Sequence, residues 1–147
     1  MIAQGAMLGG HSSIGDKAFI GGGAAIHQFV RIGRLAIIAG TEGVTSDAPP
    51  FSAVRYSGLK GYNAIGCKRS GMPQETLHAI REAFHCMHAN RTLPGAIADI
   101  RARVPLLPEI QELLDFFAGT KRGILGSVRG AGLARMGLGK YAGEIGE

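Results

Sequence analysis

The sequence predicts a parallel β-solenoid followed by a small α-helical domain, and three observations lead to this fold class. An aliphatic residue stands at every sixth position from Ile2 to Val44. Glycine makes up 24 of the 147 residues; ten of these glycines lie before residue 48, whereas one lies between residues 72 and 118. From Pro73 onward the apolar residues recur at helical spacing instead. A hydrophobic content of 46% argues against disorder of the whole chain.

Residues 1–50 divide into hexads, each with one aliphatic residue at its first position. Residues an even number apart in a strand share a face, so this residue and a small or β-branched residue four positions later both point inward. This second pattern fails only at Glu42. Such repeats stack with three hexads, or about 18 residues, per coil, and the pattern does not fix the handedness. Glycine directly after the aliphatic residue permits the tight backbone of a corner. The aliphatic positions are Ile2, Leu8, Ile14, Ile20, Ile26, Ile32, Ile38 and Val44, and glycine follows four of them, at Gly9, Gly15, Gly21 and Gly33.

The same period places His27 above Gly9 in the neighbouring coil, and Gln28 lies above Gly10 in the same way. Because glycine has no side chain, we expect a gap where a ligand or a neighbouring subunit approaches the backbone. His11 lies near on the outer wall, and two imidazoles there can bind an acyl carbonyl, a phosphate or a sugar hydroxyl. The alternative is that both histidines are solvated surface residues.

Residues 51–71 follow two consecutive prolines, Pro49 and Pro50. Proline cannot supply a ladder donor, so we expect the solenoid to stop there and residues 51–71 to form a loop and a short crossover. This segment carries Asn63 and the basic pair Lys68 and Arg69. Without the motif around it, that pair is interpreted as an ordinary solvated one.

Residues 72–126 form the predicted helical domain, with prolines at the starts of three helices. His78, Glu82 and His85 share a helical face, but their spacing is not that of a compact ligand set, so we expect no metal site. Residues 127–147 are glycine-rich without a period and are predicted to be a flexible tail. The apolar stripes are Leu77, Ile80, Phe84 and Met87; Ile97, Ile100 and Val104; and Ile110, Leu113, Leu114 and Phe117.

The charge and the cysteine content limit the candidate partners and the cellular compartment of the protein. A formal net charge of +5 and a pI of about 9.6 suit an anionic partner, which could be a nucleotide, an acidic protein or nucleic acid. Two cysteines provide neither a disulfide framework nor a metal quartet. No signal peptide and no transmembrane segment is visible, so we expect a cytoplasmic protein. An RNA-binding tail is a weak rival, because arginine-glycine-glycine repeats and interleaved aromatics are missing.

Several motifs together resemble one family. They are the hexads, Leu8-Gly-Gly-His11, Ile26-His-Gln-Phe29, Asp47-Ala-Pro-Pro50 and the run from Gly61 to Gly71 that contains Asn63, Lys68 and Arg69. This combination is similar to the UDP-N-acetylglucosamine O-acyltransferases of lipid A synthesis over residues 1–126, including Asp115-Phe-Phe-Ala and Lys121-Arg-Gly-Ile. The resemblance implies a left-handed parallel β-helix of hexapeptide repeats with a short helical domain, assembled as a homotrimer with active sites between subunits.

The resemblance also implies the substrate-binding residues. Gly10 and His11 would line the acyl and sugar end of the cleft, and His27 with Gln28 would contact the nucleotide sugar or the acyl donor. Asn63 and Arg69 would hold the uridine and the diphosphate. Two departures put the nucleotide contacts in doubt: Ile65 stands where the family usually has glutamate, and Ser70 where it often has a second arginine. Arg81, Arg91, Arg101 and Arg103 are candidates for docking the acidic acyl carrier protein, with a solvated polar face as the alternative.

Two functions of different class follow. The first is an acyltransferase that moves a 3-hydroxyacyl chain from acyl carrier protein to UDP-N-acetylglucosamine, with no cofactor, no metal and no nucleic-acid partner. The family's base histidine matches a position before Met1, so we assign no catalytic residue and expect the C-terminal part of such an enzyme. The second function is a non-catalytic trimerising or ligand-binding fragment. A sibling hexapeptide N-acyltransferase fits the helical segment poorly.

Overall fold

The computed structural model describes residues 1–126, so the predicted tail at 127–147 lies outside the described residues. The first part is a stack of coils built from seven two-residue strands. They are β1 (Met7–Leu8), β2 (Ser13–Ile14), β3 (Phe19–Ile20), β4 (Ala25–Ile26), β5 (Arg31–Ile32), β6 (Ile37–Ile38) and β7 (Gly43–Val44).

Every strand of the stack pairs in parallel with a strand one coil away. The partners are Met7 and Ala25, Ser13 and Arg31, and Phe19 and Ile37, an offset of 18 residues in each case. The ladders form separate sheets, in the orders β1-β4-β7, β2-β5 and β3-β6-β8-β9, where β8 and β9 are the strands Ser52–Arg55 and Gly58–Tyr62. The predicted three-hexad period is therefore confirmed.

The aliphatic and small positions of the hexads form the interior of the stack. Ile20 and Ile38 are fully buried, and the small residues between them, Ala24 and Ala36, are fully buried as well. In the first hexads the same positions are more open, with Ile2 50% and Leu8 42% exposed. The predicted inward faces are confirmed from residue 18 onward.

The glycines after the aliphatic residues are not needed for the tight backbone of a corner, as predicted, but for another reason. Left-handed backbone occurs elsewhere in each hexad, at every sixth position from Gly5 to Thr41, where φ lies between 57° and 79°. A Cβ added to Gly9 would lie 2.3 Å from the amide nitrogen of Gln28, and one on Gly21 would lie 2.4 Å from that of Gly40. These glycines are needed because the backbone of the next coil passes directly over them.

The prediction that the stack stops at Pro49 and Pro50 is wrong. Strand β8 continues the sheet beyond the prolines, since Ala53 pairs in parallel with Ile37 of β6. Pro50 lies over Gly33 in a corner, and the ladder bond at this corner is made by the next residue, Phe51, whose N–H donates to the carbonyl of Arg34 at 2.8 Å. Proline is tolerated at this position because its missing donor is not used.

Residues 51–71 are consequently more regular than the predicted loop. Strand β9 returns antiparallel to β8 and forms a hairpin. A short helix, α1 (Ala64–Arg69), follows directly. The segment is therefore an extension of the third sheet that carries a helix at its end.

Three further helices confirm the predicted helical domain: α2 (Gln74–Ala89), α3 (Leu93–Arg103) and α4 (Pro108–Ala118). Helix α2 packs against α3, α4 and β9, and its Ile80, Phe84 and Met87 are buried. Their core is continuous with the core of the coils. None of the helices within residues 1–126 is long and apolar enough to cross a membrane.

The chain after α4 returns to the coils. Asp47 and Ile124 form a parallel bridge, in which the N–H of Asp47 donates to the Gly123 carbonyl at 2.9 Å and the N–H of Leu125 donates to the Asp47 carbonyl at 2.8 Å. The Asp47 side chain is 1% exposed and accepts hydrogen bonds from the Arg31 backbone and from Thr120. This docked segment, residues 120–126, lies beside Asp47, and its Arg122 side chain reaches the corner that follows β4.

Candidate functional site

Three of the predicted site residues line one cavity of about 440 Å³ on the outside of the coils, which we term the His27 cavity. His27 and Gln28 follow β4 and are exposed, and Gly10 lies one coil away after β1. A Cβ added to Gly10 would meet nothing within 4 Å, so the predicted open space exists at this residue. At Gly9 the predicted gap is filled by the backbone of Gln28.

His11 lines a neighbouring cavity of about 510 Å³, which we term the His11 cavity. The residue sits in a corner with φ 57°, and its ring stacks on Phe29 with centroids 4.9 Å apart and an interplanar angle of 8°. Arg31, Lys121 and Arg122 line the same cavity. Stacking fixes the plane of the imidazole, and the nearby cations favour an anionic or carbonyl-bearing ligand.

Arg122 connects the two cavities. One of its guanidinium nitrogens, Nη2, lies 2.8 Å from Nδ1 of His27 and 3.3 Å from the carbonyl oxygen of Thr45. The two residues are 95 positions apart in the chain, and the docked segment places them together. No role was predicted for Arg122, because a basic residue in a glycine-rich stretch gives no signal of such a contact.

Asn63 lines a third cavity, of about 380 Å³, on the outer face of the third sheet, together with Ile65, Arg55 and Lys60. Its amide caps helix α1: Oδ1 accepts from the Gly66 N–H at 3.0 Å, and Nδ2 donates to the Leu35 carbonyl at 2.8 Å. A primary amide has two donors and two acceptor sites, so half of its capacity is left for a ligand. Asn63 therefore has a structural function as a helix cap, and its contact with a ligand stays a prediction.

Arg69 and Lys68 are exposed in the last turn of α1 and are not among the residues that line these three cavities. Ser70, at the position of the family's second arginine, donates its hydroxyl to the Cys67 carbonyl at 2.7 Å. Within one chain the structure thus brings Gly10, His27 and Gln28 together, with His11 beside them. Asn63 and Arg69 lie apart from them, at the two ends of helix α1, which follows the third sheet.

The surroundings of both cysteines disfavour the thiolate, which is the nucleophilic form of the side chain. Cys67 is buried, and desolvation raises the pKa of its thiol from 9.0 to about 11 in spite of the positive charge of Arg34. Burial likewise raises the pKa of Cys86. Residues 1–126 contain no group of three or more His, Cys, Asp or Glu side chains placed to hold a metal ion. The two histidine cavities offer imidazoles, guanidinium and ammonium groups and backbone amides, together with the Asp47 carboxylate, the Gln28 amide and the hydroxyls of Ser13 and Thr45.

Comparisons with known proteins identify the family to which the chain belongs. Residues 47–125 match the family model described as UDP N-acetylglucosamine O-acyltransferase, domain 2. Because this match covers more than half of the chain, the chain belongs to the UDP-N-acetylglucosamine O-acyltransferase family.

Two curated relatives carry the name acyl-[acyl-carrier-protein]–UDP-N-acetylglucosamine O-acyltransferase. The one from Anaeromyxobacter sp. (strain Fw109-5) is 38% identical over 112 residues, which are 74% of this chain and 44% of the relative. The one from Agrobacterium fabrum is 36% identical over 135 residues, 88% of this chain and 50% of the relative. The chain thus spans about half the length of the curated relatives it matches.

Solved structures give the same result. The UDP-N-acetylglucosamine acyltransferase of Francisella novicida superposes with a TM-score of 0.78 at 28% identity, covering 84% of this chain and 47% of that one. The acyltransferase of Campylobacter jejuni gives a TM-score of 0.76 at 26% identity, covering 84% and 49%. The parallel coils and the helical domain of this chain correspond to about half of each enzyme.

Proposed function

We propose that this chain takes part in the transfer of a 3-hydroxyacyl group from acyl carrier protein to a hydroxyl of UDP-N-acetylglucosamine, the first step of lipid A synthesis. The observation that carries the proposal is the match of residues 47–125 to the acyltransferase family. The geometry supports the proposal as well, because Gly10, His27 and Gln28 line one open cavity.

In this transfer the sugar hydroxyl oxygen attacks the thioester carbonyl, a C–O bond forms and the C–S bond breaks. A base takes the hydroxyl proton and returns it to the departing sulfur, which leaves as the thiol. The developing oxyanion and the diphosphate need hydrogen-bond donors. His11 and His27 are placed to supply such donors, since both are exposed and line cavities. We assign them binding functions, because the sequence assigns no catalytic base to residues of this chain.

The assembly in this proposal is a homotrimer of left-handed β-helices located in the cytoplasm. Its support is the separation of the candidate residues: the His27 cavity and the Asn63 cavity lie on different sheets of one chain. A site between subunits would place one chain's histidine cavities beside the Asn63 and Arg69 of a neighbour. The exposed arginines of the helical domain, Arg81, Arg91, Arg101 and Arg103, would then dock the acidic acyl carrier protein.

A binding and transfer assay tests the proposal. We expect calorimetry to detect UDP-N-acetylglucosamine binding, and His27→Ala to weaken it about tenfold through the loss of a hydrogen bond to a charged ligand. His78→Ala, which removes an exposed histidine on α2, is the matched control and leaves binding unchanged.

Mass spectrometry with 3-hydroxyacyl carrier protein then separates the two candidate functions. Acylated sugar nucleotide supports the enzyme. Nucleotide binding without product supports the non-catalytic, ligand-binding alternative. Absence of both binding and product contradicts the enzyme and the ligand-binding alternative and leaves only a trimerising fragment.

A further inference from the structure

The His27–Arg122 contact determines which ring nitrogen of His27 carries the proton. A guanidinium group has only donors, so a hydrogen bond at 2.8 Å between Arg122 Nη2 and His27 Nδ1 requires Nδ1 to accept. Nδ1 also lies 3.3 Å from the carbonyl of its neighbour Gln28, a contact that would favour a proton on Nδ1. The shorter contact with an obligate donor prevails over the longer one with an acceptor.

The guanidinium is held in place by the fold rather than by His27 alone. Arg122 is part of the docked segment, whose backbone pairs with Asp47 on both sides of Ile124. Thr120 bonds the buried Asp47 carboxylate at 2.8 Å, and Arg122 itself also reaches the Thr45 carbonyl. The donor is therefore preorganised against Nδ1 before any ligand arrives.

We propose that Arg122 is a positioning residue that fixes His27 as the neutral tautomer protonated at Nε2, so that His27 meets a ligand as a hydrogen-bond donor. With Nδ1 occupied, Nε2 is the only ring nitrogen that can bond to a substrate. A donor at this point suits a carbonyl, phosphate or sugar oxygen and does not suit the abstraction of a proton. The use of this donor on the sugar nucleotide or the acyl group rests on the proposed function, whereas the tautomer does not.

Nitrogen-15 NMR of the full chain labelled at its five histidines tests the tautomer without any substrate. His27→Asn assigns the resonances by their loss. We expect the His27 Nδ1 resonance at the position of an unprotonated ring nitrogen and Nε2 at that of a protonated one. A proton on Nδ1 in the unaltered chain would overturn the proposal, whether or not the chain binds a sugar nucleotide.

Two variants then separate positioning from a general effect on folding. Arg122→Met is expected to let His27 shift toward the Nδ1–H form, which can donate to the Gln28 carbonyl, while the spectra of the three histidines on α2, His78, His85 and His88, stay as they were. Lys121→Met is the matched control, because Lys121 lines the same cavity without a hydrogen bond to His27, and it should leave the tautomer unchanged. An unchanged His27 spectrum in Arg122→Met contradicts the proposal.

The affinity for the sugar nucleotide connects the tautomer to binding. If UDP-N-acetylglucosamine binds as proposed, Arg122→Met should weaken its binding about tenfold, whereas Lys121→Met should weaken it less. A shifted tautomer with unchanged affinity would remove His27 as a donor to this ligand but leave the positioning of the ring intact. The NMR experiment therefore tests the tautomer, and the binding experiment separately tests the use of this donor on the sugar nucleotide.

Discussion

Hydrogen is the only side chain that fits at Gly33. A Cβ there would lie 2.2 Å from the nitrogen of Pro50 and 2.6 Å from its ring Cδ, and the proline ring cannot rotate away. Gly43 has the opposite environment, since a Cβ there would meet nothing within 4 Å. The two positions form a natural pair for testing the close approach of successive coils.

We expect Gly33→Ala to lower the free energy of unfolding by about 2 kcal/mol, because the backbone of residues 49–51 must move to admit the methyl group. Urea unfolding followed by circular dichroism measures the loss. Gly43→Ala, the control, should change the free energy of unfolding by less than about 0.5 kcal/mol. Equal effects at both positions would show that the close approach of Pro50 does not restrict the side chain at residue 33.

Asn63 shows a limit of sequence interpretation at the same scale. Its position in a recognisable run pointed to a ligand contact, but its use as the cap of α1 depends on Leu35, 28 residues earlier in the chain. Gly66 completes the cap, because a Cβ there would lie 2.2 Å from the Asn63 amide nitrogen. A contact between residues of distant coils leaves no mark in the local sequence.

At the scale of elements, the β8–β9 hairpin is the part that the sequence did not predict. Its two-residue turn, Tyr56–Ser57, has φ values of 55° and 60°, a conformation for which Asn-Gly is the usual sequence. Glu42 compensates: its two carboxylate oxygens accept from the N–H groups of Tyr56 at 2.7 Å and Ser57 at 2.8 Å. The one residue that breaks the small-residue pattern of the hexads thus stabilises a turn in the next coil.

Glu42→Gln should open this turn. An amide group can replace only one of the two acceptor oxygens and directs a donor at the other N–H, so the turn loses about 1 to 2 kcal/mol. Hydrogen exchange of the Tyr56 and Ser57 amides should accelerate about tenfold. Glu75→Gln in the first turn of α2 is the control, and the hypothesis fails if it accelerates these amides equally.

The sequence predicts the periodic elements but not the places where the chain departs from the periodic pattern. In the hexads and in the three amphipathic helices, buried apolar residues recur at a regular spacing, so the spacing alone predicts where these elements lie. The proline pair, the hairpin and the docked segment depend on single contacts with residues from other coils, such as Gly33, Glu42 and Asp47. The same distinction holds for the site: His27 and Gln28 follow from coil stacking, whereas Arg122 does not.

At the scale of the whole molecule, two arginines join the coils to the helical domain. Arg34 forms a bidentate pair with Glu112 of α4, with Nε–Oε1 at 3.0 Å and Nη2–Oε2 at 2.9 Å, and this pairing raises the pKa of Arg34. Arg31 donates to the Phe116 carbonyl at 2.6 Å and lies 4.0 Å above the Phe116 ring centroid. These contacts add directional bonds to a continuous apolar core.

A double-mutant cycle measures what the pair contributes. For Arg34→Met and Glu112→Gln we expect a coupling free energy of about 1 kcal/mol, reduced by the exposure of roughly a third of each side chain. The control cycle uses Glu82 and His85, a more exposed pair within α2 at 3.6 Å, where coupling should be near zero. A coupling at Arg34 and Glu112 no larger than in the control would mean that this ion pair does not help to join the two parts.

The docked segment also sets the order in which the chain can acquire its candidate site. Neighbouring coils are linked by contacts 18 residues apart, which close early, whereas the contact between His27 and Arg122 spans 95 residues and needs the helical domain in between. A chain still emerging from the ribosome can therefore stack its coils while His27 has no arginine beside it. The imidazole acquires its fixed proton only when synthesis has passed residue 122 and the chain has folded back, so the donor at this cavity forms later than the coils that carry it.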